Sequence, residues 1–498
     1  MLPSRFSSGL GALALLLDNA LAIQNGLALT PQMGWDNWNA FGCSVSEELL
    51  LGTANKIVEL GLRDLGYHYV VLDDCWSAGR NSSGALQANT TKFPNGMAHV
   101  ADEIHALGLG FGMYSDAGMY TCGGYAGSLG HETIDAQTFA SWGVDYLKYD
   151  NCYNEGQSGT PLITYTRYKA MGDALNATGR PILYSLCNWG EDYPWKWGNT
   201  LANSWRMSGD IMDDYDRADT RCPCTGDVGE EGYNCALPGF HCSMLNILNK
   251  QAWITSEGGI GGWNDMDMLE VGNGGMDDDE YVTHMSMWAA LKSPLLMGND
   301  VTAMPANALA IVSNPAVLAI SQDPLGETAI RRWRTQVPQK DANGFGEVQM
   351  WSGPLYGGDQ VVVLLNAADV PMNLSATLAD VFYDDGGPRS PEAQAAWDVF
   401  DVWGNRMSNA TAAAILAGNI TAVHGSLNVT NGTSIPMYNV TQLPYAEGLA
   451  QNNTLLMGKY VSTVQPLGTI NAMVNRHGVA MFRLRQNTSG MKRKRDEL

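Results

Sequence analysis

Between residue 27 and about residue 322 the chain repeats one local pattern eight times. That repetition constrains the fold more than any other feature of the sequence. Short apolar runs occur at 31–34, 67–72, 110–114, 145–149, 182–185, 204–207, roughly 261–263, and 294–297, each closed by polar or aromatic residues. Between several of them lie segments with helical periodicity, such as 46–60, 97–107, 134–142 and 165–175. Val70-Val71-Leu72 and Ile182-Leu183-Tyr184 are unbroken apolar triplets, as expected of parallel strands covered on both faces. Strand and helix alternating eight times predict an α/β chain of the (β/α)8 TIM-barrel type. In that architecture chemistry sits at the C-terminal ends of the strands, where the polar residues closing these runs fall.

After about Asp323 the texture changes. Runs at 327–334, 346–351, 360–365, 396–402 and 478–484 are short, alternating or apolar, and separated by Gly, Pro and Asn. They predict a C-terminal antiparallel β-sandwich domain. Residues 27–325 are thus assigned to the barrel and 326–490 to the β domain. An Ala-, Asn- and Thr-rich insertion spans 405–451, and a basic tail spans 491–498. The 498 residues accommodate this division, and a hydrophobic content of 45% with 15 Trp excludes disorder over most of the length.

Residues 1–22 read as a signal peptide: Arg5, an apolar stretch at 10–17, and the small-x-small site Ala20-Leu21-Ala22. Eight apolar residues cannot span roughly 30 Å of hydrocarbon, so a membrane anchor is not expected. Eleven N-x-Ser/Thr sequons support a secreted, extracellular glycoprotein: Asn81, Asn89, Asn176, Asn373, Asn409, Asn419, Asn428, Asn431, Asn439, Asn452 and Asn487. Eight of them follow residue 370, which suggests a glycan-covered C-terminal part. The last three residues, Asp496-Glu497-Leu498, match the end of an ER-retrieval signal, but Arg495 stands where Lys or His is usual. The alternative is a basic tail open to trimming. A net charge of −22 disfavours nucleic acid as a partner.

Carboxylates cluster at the predicted strand ends. Asp150 follows Lys148 by two residues, so on a strand the two share a face. A neighbouring cation lowers a carboxyl pKa and keeps it ionised, which suits a nucleophile; a structural ion pair is the other reading. Asp210 closes the run that contains Arg206, with Asp213 and Asp214 close behind. Acids grouped in this way raise one another's pKa, which suits a general acid, or they form a surface cluster. Asp73-Asp74 could hold a metal or two sugar hydroxyls, and Asp265 and Asp267 add two more acceptors. Position 276 is Met, so Asp265-x-Asp267 does not continue as a calcium loop. Trp35, Trp38, Tyr114, Trp189 and Trp263 lie among these acids, and a sugar needs both aromatic faces and charged acceptors. There is no P-loop, G-x-S-x-G elbow, dinucleotide fingerprint or HExxH motif; neither a metal nor a cofactor is expected.

Six motifs in order make the chain recognisable: Met33-Gly34-Trp35-Asp36-Asn37-Trp38-Asn39, Leu72-Asp73-Asp74-Cys75-Trp76, Tyr114-Ser115-Asp116, Lys148-Tyr149-Asp150-Asn151-Cys152, Arg206-x-x-x-Asp210 and Trp263-Asn264-Asp265-Met266-Asp267-Met268. The chain resembles the secreted fungal α-galactosidases (melibiases) of glycoside hydrolase family 27, from about Leu27 to Gly326 and more loosely beyond. The resemblance implies a retaining α-galactosidase acting on terminal α-D-galactosyl residues of galacto-oligosaccharides or galactomannan side chains. It makes Asp150 the nucleophile and Asp210 the acid/base. It assigns Trp35, Asp73, Asp74, Tyr114, Lys148, Cys187, Trp189, Arg206 and Asp267 to the galactose. An acidic pH optimum is expected, because the acid must stay protonated while its partner is ionised.

The chain departs from that pattern at Met266, where the family often has Pro, in the long segment 213–241, and in the C-terminal insertion. The resemblance pairs Cys43 with Cys75 and Cys122 with Cys152. Cys222, Cys224, Cys235 and Cys242 can then form two bridges in three ways, leaving Cys187 as a free thiol in the sugar pocket. Two activities on the same scaffold compete. An α-N-acetylgalactosaminidase needs small residues where the bulk of Trp189 stands. Relatives that act as β-L-arabinopyranosidases lengthen one of the paired Asp residues to Glu, and here both remain Asp. A catalytically dead carbohydrate-binding protein would not need both catalytic carboxylates.

Overall fold

In the computed structural model the described residues are 25–217, 242–418, 420–423, 426–429 and 434–487. The signal peptide, Cys222, Cys224, Cys235, Asn419, Asn431 and the basic tail lie outside them.

Eight short parallel strands carry the N-terminal part: β1 (Met33–Asp36), β2 (Tyr69–Leu72), β3 (Gly110–Asp116), β4 (Tyr146–Asp150), β5 (Leu183–Leu186), β6 (Ser204–Arg206), β7 (Trp263–Asp265) and β8 (Leu295–Met297). They pair in the order β8-β1-β2-β3-β4-β5-β6-β7. The ring closes just beyond β7, where Leu269 bridges Met297: its N–H donates to the Leu296 carbonyl, and its own carbonyl accepts from Gly298. All eight predicted runs became strands, with ends displaced by at most two residues.

The helices alternate with the strands: α1 (Glu47–Glu59), α2 (Met97–Ala106), α3 (Glu132–Ser141), α4 (Pro161–Ala177), α5 (Met244–Gln251), α6 (Asp278–Ala290), α7 (Ala306–Val312) and α8 (Pro315–Ser321). Between β5 and β6 two 3-10 turns replace a helix. Local chemistry starts each helix where it begins. Ser46 caps α1 by accepting the Leu49 N–H, with Glu47 and Glu48 in the positive first turn. Thr160 and Pro161 open α4, and Asp277 and Glu280 form a capping box on α6. The strand–helix layer is close-packed; Val70, Leu72, Phe111 and Leu147 are fully buried, each contributing roughly 1.5–3 kcal/mol.

The C-terminal domain holds a six-stranded antiparallel sheet. In chain order its strands and their companions are β9 (Ile330–Gln336), β10 (Glu347–Pro354), β11 (Gln360–Asn366), β12 (Met372–Thr377), β13 (Trp397–Asp401), β14 (Lys459–Val464), β15 (Thr469–Val474) and β16 (Val479–Gln486). The large sheet runs β9-β10-β11-β16-β13-β14, and β12 pairs with β15 in a second, two-stranded sheet. β11 is apolar without alternation because both its faces are covered. Val361, Val363 and Leu365 join the barrel core, while Val362 and Leu364 line the sandwich interior. Strands β12, β14 and β15 were not foreseen; Tyr460 and Val461 on β14 and Met473 on β15 are exposed and blur those two patterns, whereas β12 alternates cleanly. The 405–451 segment contains two helices (Asn409–Leu416 and Tyr445–Ala450) and the short strands Ile420–Val423, Ser426–Val429 and Ser434–Pro436. Tyr445 anchors it to the barrel through the Leu65 carbonyl at 2.9 Å.

Gly34 marks the tightest inter-strand approach in the barrel: a Cβ there would lie 2.3 Å from the Tyr69 carbonyl oxygen. Gly34→Ala should cost about 3 kcal/mol through forced strand separation. Gly52→Ala, on α1 with nothing within 4 Å, should be neutral or stabilising by roughly 0.5–1 kcal/mol. Thermal unfolding at one scan rate compares them; equal midpoints for the two variants would refute the strand-contact argument.

Candidate active site

The C-terminal strand ends enclose a cavity of about 380 Å³ lined by Trp38, Asn39, Asp73, Asp74, Tyr114, Cys122, Lys148, Asp150, Cys152, Cys187, Trp189, Arg206, Asp210, Asp267 and Met268. Nearly every residue assigned to the site from sequence is on this wall. The exception is Trp35. Side chains alternate along a strand, and Asp36 on β1 points into the barrel, so Trp35 points out. It is fully buried in the strand–helix core, meets Phe41 edge-on, and donates its indole N–H to the Asn299 carbonyl at 2.8 Å. Trp38, three residues on, begins a short helix (Trp38–Phe41) beyond the strand end and is the tryptophan on the wall. The same motif contained both residues; only the point where the strand ends separates them.

Two buried cations organise the acids. Lys148 Nζ lies 2.6 Å from Asp73 Oδ2 and 3.9 Å from Asp36 Oδ2. Arg206 Nη2 lies 2.9 Å from Asp210 Oδ1 and 2.8 Å from Asp267 Oδ2, and Nη1 faces the Cys187 sulfur at 3.7 Å. Backbone donors hold the rest. Asp74 accepts the Cys75 N–H at 2.6 Å and the Gly123 N–H at 2.7 Å. Asp267 accepts from Ile211 at 2.8 Å and Met268 at 2.9 Å. Cys75, Trp189 and Asp267 adopt positive φ (72°, 55° and 77°), backbone strain of about 1–3 kcal/mol each that such sites concentrate.

Asp150 accepts the Tyr114 hydroxyl at 2.9 Å on one oxygen and the Asn151 N–H at 2.9 Å on the other. The sequence reading held that Lys148 would keep it ionised. Lys148 does act in that direction, but burial outweighs it and pushes the Asp150 carboxyl up to about 7. The Asp210 charge adds to the rise. Asp210 sits at the rim with its side chain 36% exposed. Beneath the cavity, Asp36 and Asp265 border a pocket of about 10 Å³, room for one water. Burial raises both of them, Asp265 to about 6. Asp265 is among the acceptors the sequence points to; Asp36 is not, because its inward direction is set by strand phase.

The disulfides Cys43–Cys75 and Cys122–Cys152 are present and Cys187 is free and buried. The second bridge ties the loop after β4 to the loop after β3 and forms part of the cavity wall. Cys242 is disulfide-bonded, as expected. Met266 is wholly buried, outside the cavity wall.

Such a site can protonate a leaving group from its rim acid and offer a second carboxylate from its floor. A family model described as alpha galactosidase A matches residues 30–323. The chain belongs to this α-galactosidase family. A second model, the alpha galactosidase C-terminal beta sandwich domain, matches residues 345–426. An α-galactosidase of Lachancea cidri is 57% identical over 461 residues, covering 93% of this chain and 95% of that one. A Saccharomyces cerevisiae α-galactosidase structure is 54% identical, with a TM-score of 0.88 over 93% of this chain and 99% of its own. The same yeast enzyme solved with raffinose gives 53% and 0.88 over the same shares. The activity is therefore that of an α-galactosidase, a glycoside hydrolase of family 27.

Burial raises the Cys187 thiol well above its ordinary value, so the α-galactosidase should present a thiol rather than a thiolate. Alkylation at pH 7.5 should be at least about tenfold slower at Cys187 than for free cysteine, becoming fast on unfolding. Rapid modification of Cys187 in the native enzyme would contradict this.

Proposed function

We propose that this α-galactosidase works by double displacement, with Asp150 as nucleophile and Asp210 as acid/base. Asp150 attacks the anomeric carbon of an α-galactoside while Asp210 transfers its proton to the departing glycosidic oxygen. A β-linked galactosyl-enzyme forms and the aglycone leaves. Asp210, now a carboxylate, takes a proton from water, whose oxygen attacks the anomeric carbon and releases Asp150. Galactose leaves with the α configuration it entered with.

The observation that carries this reading is the pairing of a floor carboxylate, hydrogen-bonded by Tyr114 and Asn151, with a rim carboxylate clamped by Arg206 in one cavity. Asp73 and Asp74 are assigned to the 4- and 6-hydroxyls. Their remaining lone pairs go unpaired against a sugar whose 4-hydroxyl is turned the other way, which penalises glucose. Both residues are Asp and Trp189 is on the wall, which supports galactose over the arabinopyranoside and N-acetyl alternatives. Raffinose-type oligosaccharides and galactomannan branches are the proposed substrates; the raffinose held by the yeast relative supports the first class.

Asp150→Asn should lower turnover of aryl α-galactosides by on the order of 10⁴-fold, with azide partly restoring it as the β-galactosyl azide. Unchanged turnover would sink the assignment.

The pH profile follows from the same geometry. The active pair must hold one proton, on Asp210 and not on Asp150, so activity falls on both sides of an optimum. Asp150, raised by burial, loses nucleophilicity as pH falls through its pKa, while the Tyr114 hydroxyl lowers that pKa. Tyr114→Phe should therefore move the acidic limb of kcat/KM upward by about one pH unit. A limb that stays put or moves down would show that Asp150 does not set it.

Secretion with glycosylation is proposed as well. Asn81, Asn176, Asn373, Asn409 and Asn452 are exposed, while Asn89, Asn439 and Asn487 are half-buried. Among the described residues no helix is long and apolar enough to cross a membrane. Cells expressing the full chain should release an enzyme that begins after Ala22 and loses mass on enzymatic deglycosylation. Retention of the uncleaved chain in the cells would contradict this.

A further inference from the structure

Away from the active site, three buried side chains from distant parts of the chain converge. Asp216 lies six residues beyond Asp210, Asp341 lies in the β9–β10 hairpin, and His477 lies in the loop that crosses from β15 to β16 in the other sheet. Their side chains are 4%, 5% and 3% exposed. His477 Nε2 is 3.8 Å from Asp216 Oδ2 and 3.7 Å from Asp341 Oδ2, and all three atoms fit within 4.8 Å of one another. None of the three meets a donor among the described residues, and the Asp216 and Asp341 carboxyls are close enough to share a proton.

The surroundings fix each group with one atom aimed inward. Asp216 Oδ1 accepts the Asn343 side-chain N–H at 2.7 Å. Asp341 Oδ1 accepts the backbone N–H groups of Asn343 at 2.8 Å and Phe345 at 2.9 Å. His477 Nδ1 lies 2.7 Å from Glu280 Oε1 on α6. Nδ1 therefore carries the proton facing Glu280, and Nε2 faces the two carboxylates. Tyr215 stacks on the ring at 4.2 Å, and the Thr283 hydroxyl donates to the His477 carbonyl at 2.8 Å.

Three acceptors facing one another repel unless a proton or a metal ion lies between them; burial and the neighbouring Asp341 push the Asp216 carboxyl up to about 7, so the cluster has to bind one or the other. Two ligands about 2.1 Å from one ion at tetrahedral angles stand roughly 3.4 Å apart. The cluster reaches that spacing with a contraction of a few tenths of an ångström. One imidazole nitrogen with two carboxylate oxygens is a donor set for Zn²⁺ among the divalent metals. Glu280 on the far ring nitrogen is the outer-shell carboxylate that orients metal-binding histidines. The charges also balance. Two aspartates neutralise a divalent ion, and Glu280 is met by Arg476 at 3.3 Å.

We propose that Asp216 Oδ2, Asp341 Oδ2 and His477 Nε2 form a divalent-metal site, best suited to Zn²⁺. It clasps the β domain, α6 and the segment leaving Asp210. The role is structural: the ion joins two loops of the β domain to the chain that leaves the catalytic rim.

The test uses the full-length enzyme, exposed to Zn²⁺ and dialysed into metal-free buffer at pH 7. Elemental analysis should find one zinc per chain. EDTA should lower the wild-type thermal midpoint by a few degrees and added Zn²⁺ should restore it. Asp341→Asn and His477→Gln should each lose the zinc and the response to EDTA, and Asp341→Asn should keep its turnover at ambient temperature. Should a variant fail to fold, the wild-type measurements decide alone. Substoichiometric zinc with a wild-type midpoint indifferent to EDTA and Zn²⁺ would overturn the proposal and leave protons and water as the glue.

Discussion

Lys148 and Arg206 face a concentration of negative charge that would not hold together without them. Asp36, Asp73, Asp74, Asp150, Asp265 and Asp267 are each at most 7% exposed, and Asp210 stands at the rim. Each cation is shared: Lys148 between Asp73 and Asp36, Arg206 between Asp210 and Asp267. Removing either would leave buried carboxylates uncompensated, a loss of about 3–5 kcal/mol by the general cost of breaking buried pairs. The barrel makes the cluster possible by converging strand ends on a small space. The cluster in turn sets which proton sits where. Burial raises Asp36, Asp150, Asp265 and Asp267, and the nearest cations and donors pull them back by different amounts.

In the proposed mechanism the same arrangement reads a sugar of one configuration. Asp73 and Asp74 are adjacent in sequence, yet both reach the cavity because β2 ends at Leu72 and the chain turns there. Asp74 is pinned by Cys75 and Gly123, Asp73 by Lys148, so neither carboxylate is free to swing toward a differently placed hydroxyl. The Cys122–Cys152 bridge carries that rigidity to the loop after Asp150. Selectivity is thus built into backbone donors and cross-links as much as into the acids themselves.

Much of this was legible in the sequence. Eight apolar runs, each ending in acids or aromatics, located every barrel strand and most of the cavity wall. The period-two rule correctly put Lys148 and Asp150 on one face. It was not applied to β1, where Asp36 pointing inward requires Trp35 to point outward; Trp38 took the place assigned to Trp35 because the strand stops at Asp36. The balance between burial and Lys148 at Asp150 was also beyond a linear reading. Spacing reveals a neighbouring charge but not how much water has been removed. Asp216, Asp341 and His477 are separated by more than a hundred residues at each step, so only tertiary packing brings them together. The β domain was half legible. β11 is buried on both faces and shows it, whereas β14 and β15 carry exposed apolar residues that blur their alternation.

The central claim is that Asp150 bonds to the sugar. An α-galactoside activated at its leaving group and carrying fluorine on the ring should form a galactosyl-enzyme that turns over slowly enough to isolate. Proteolysis and tandem mass spectrometry then locate the label. The account predicts one fluorogalactosyl group per chain, esterified to Asp150 and absent from the Asp150→Asn enzyme. A label on any other carboxylate, or steady turnover to the inverted sugar with no covalent adduct, would contradict it.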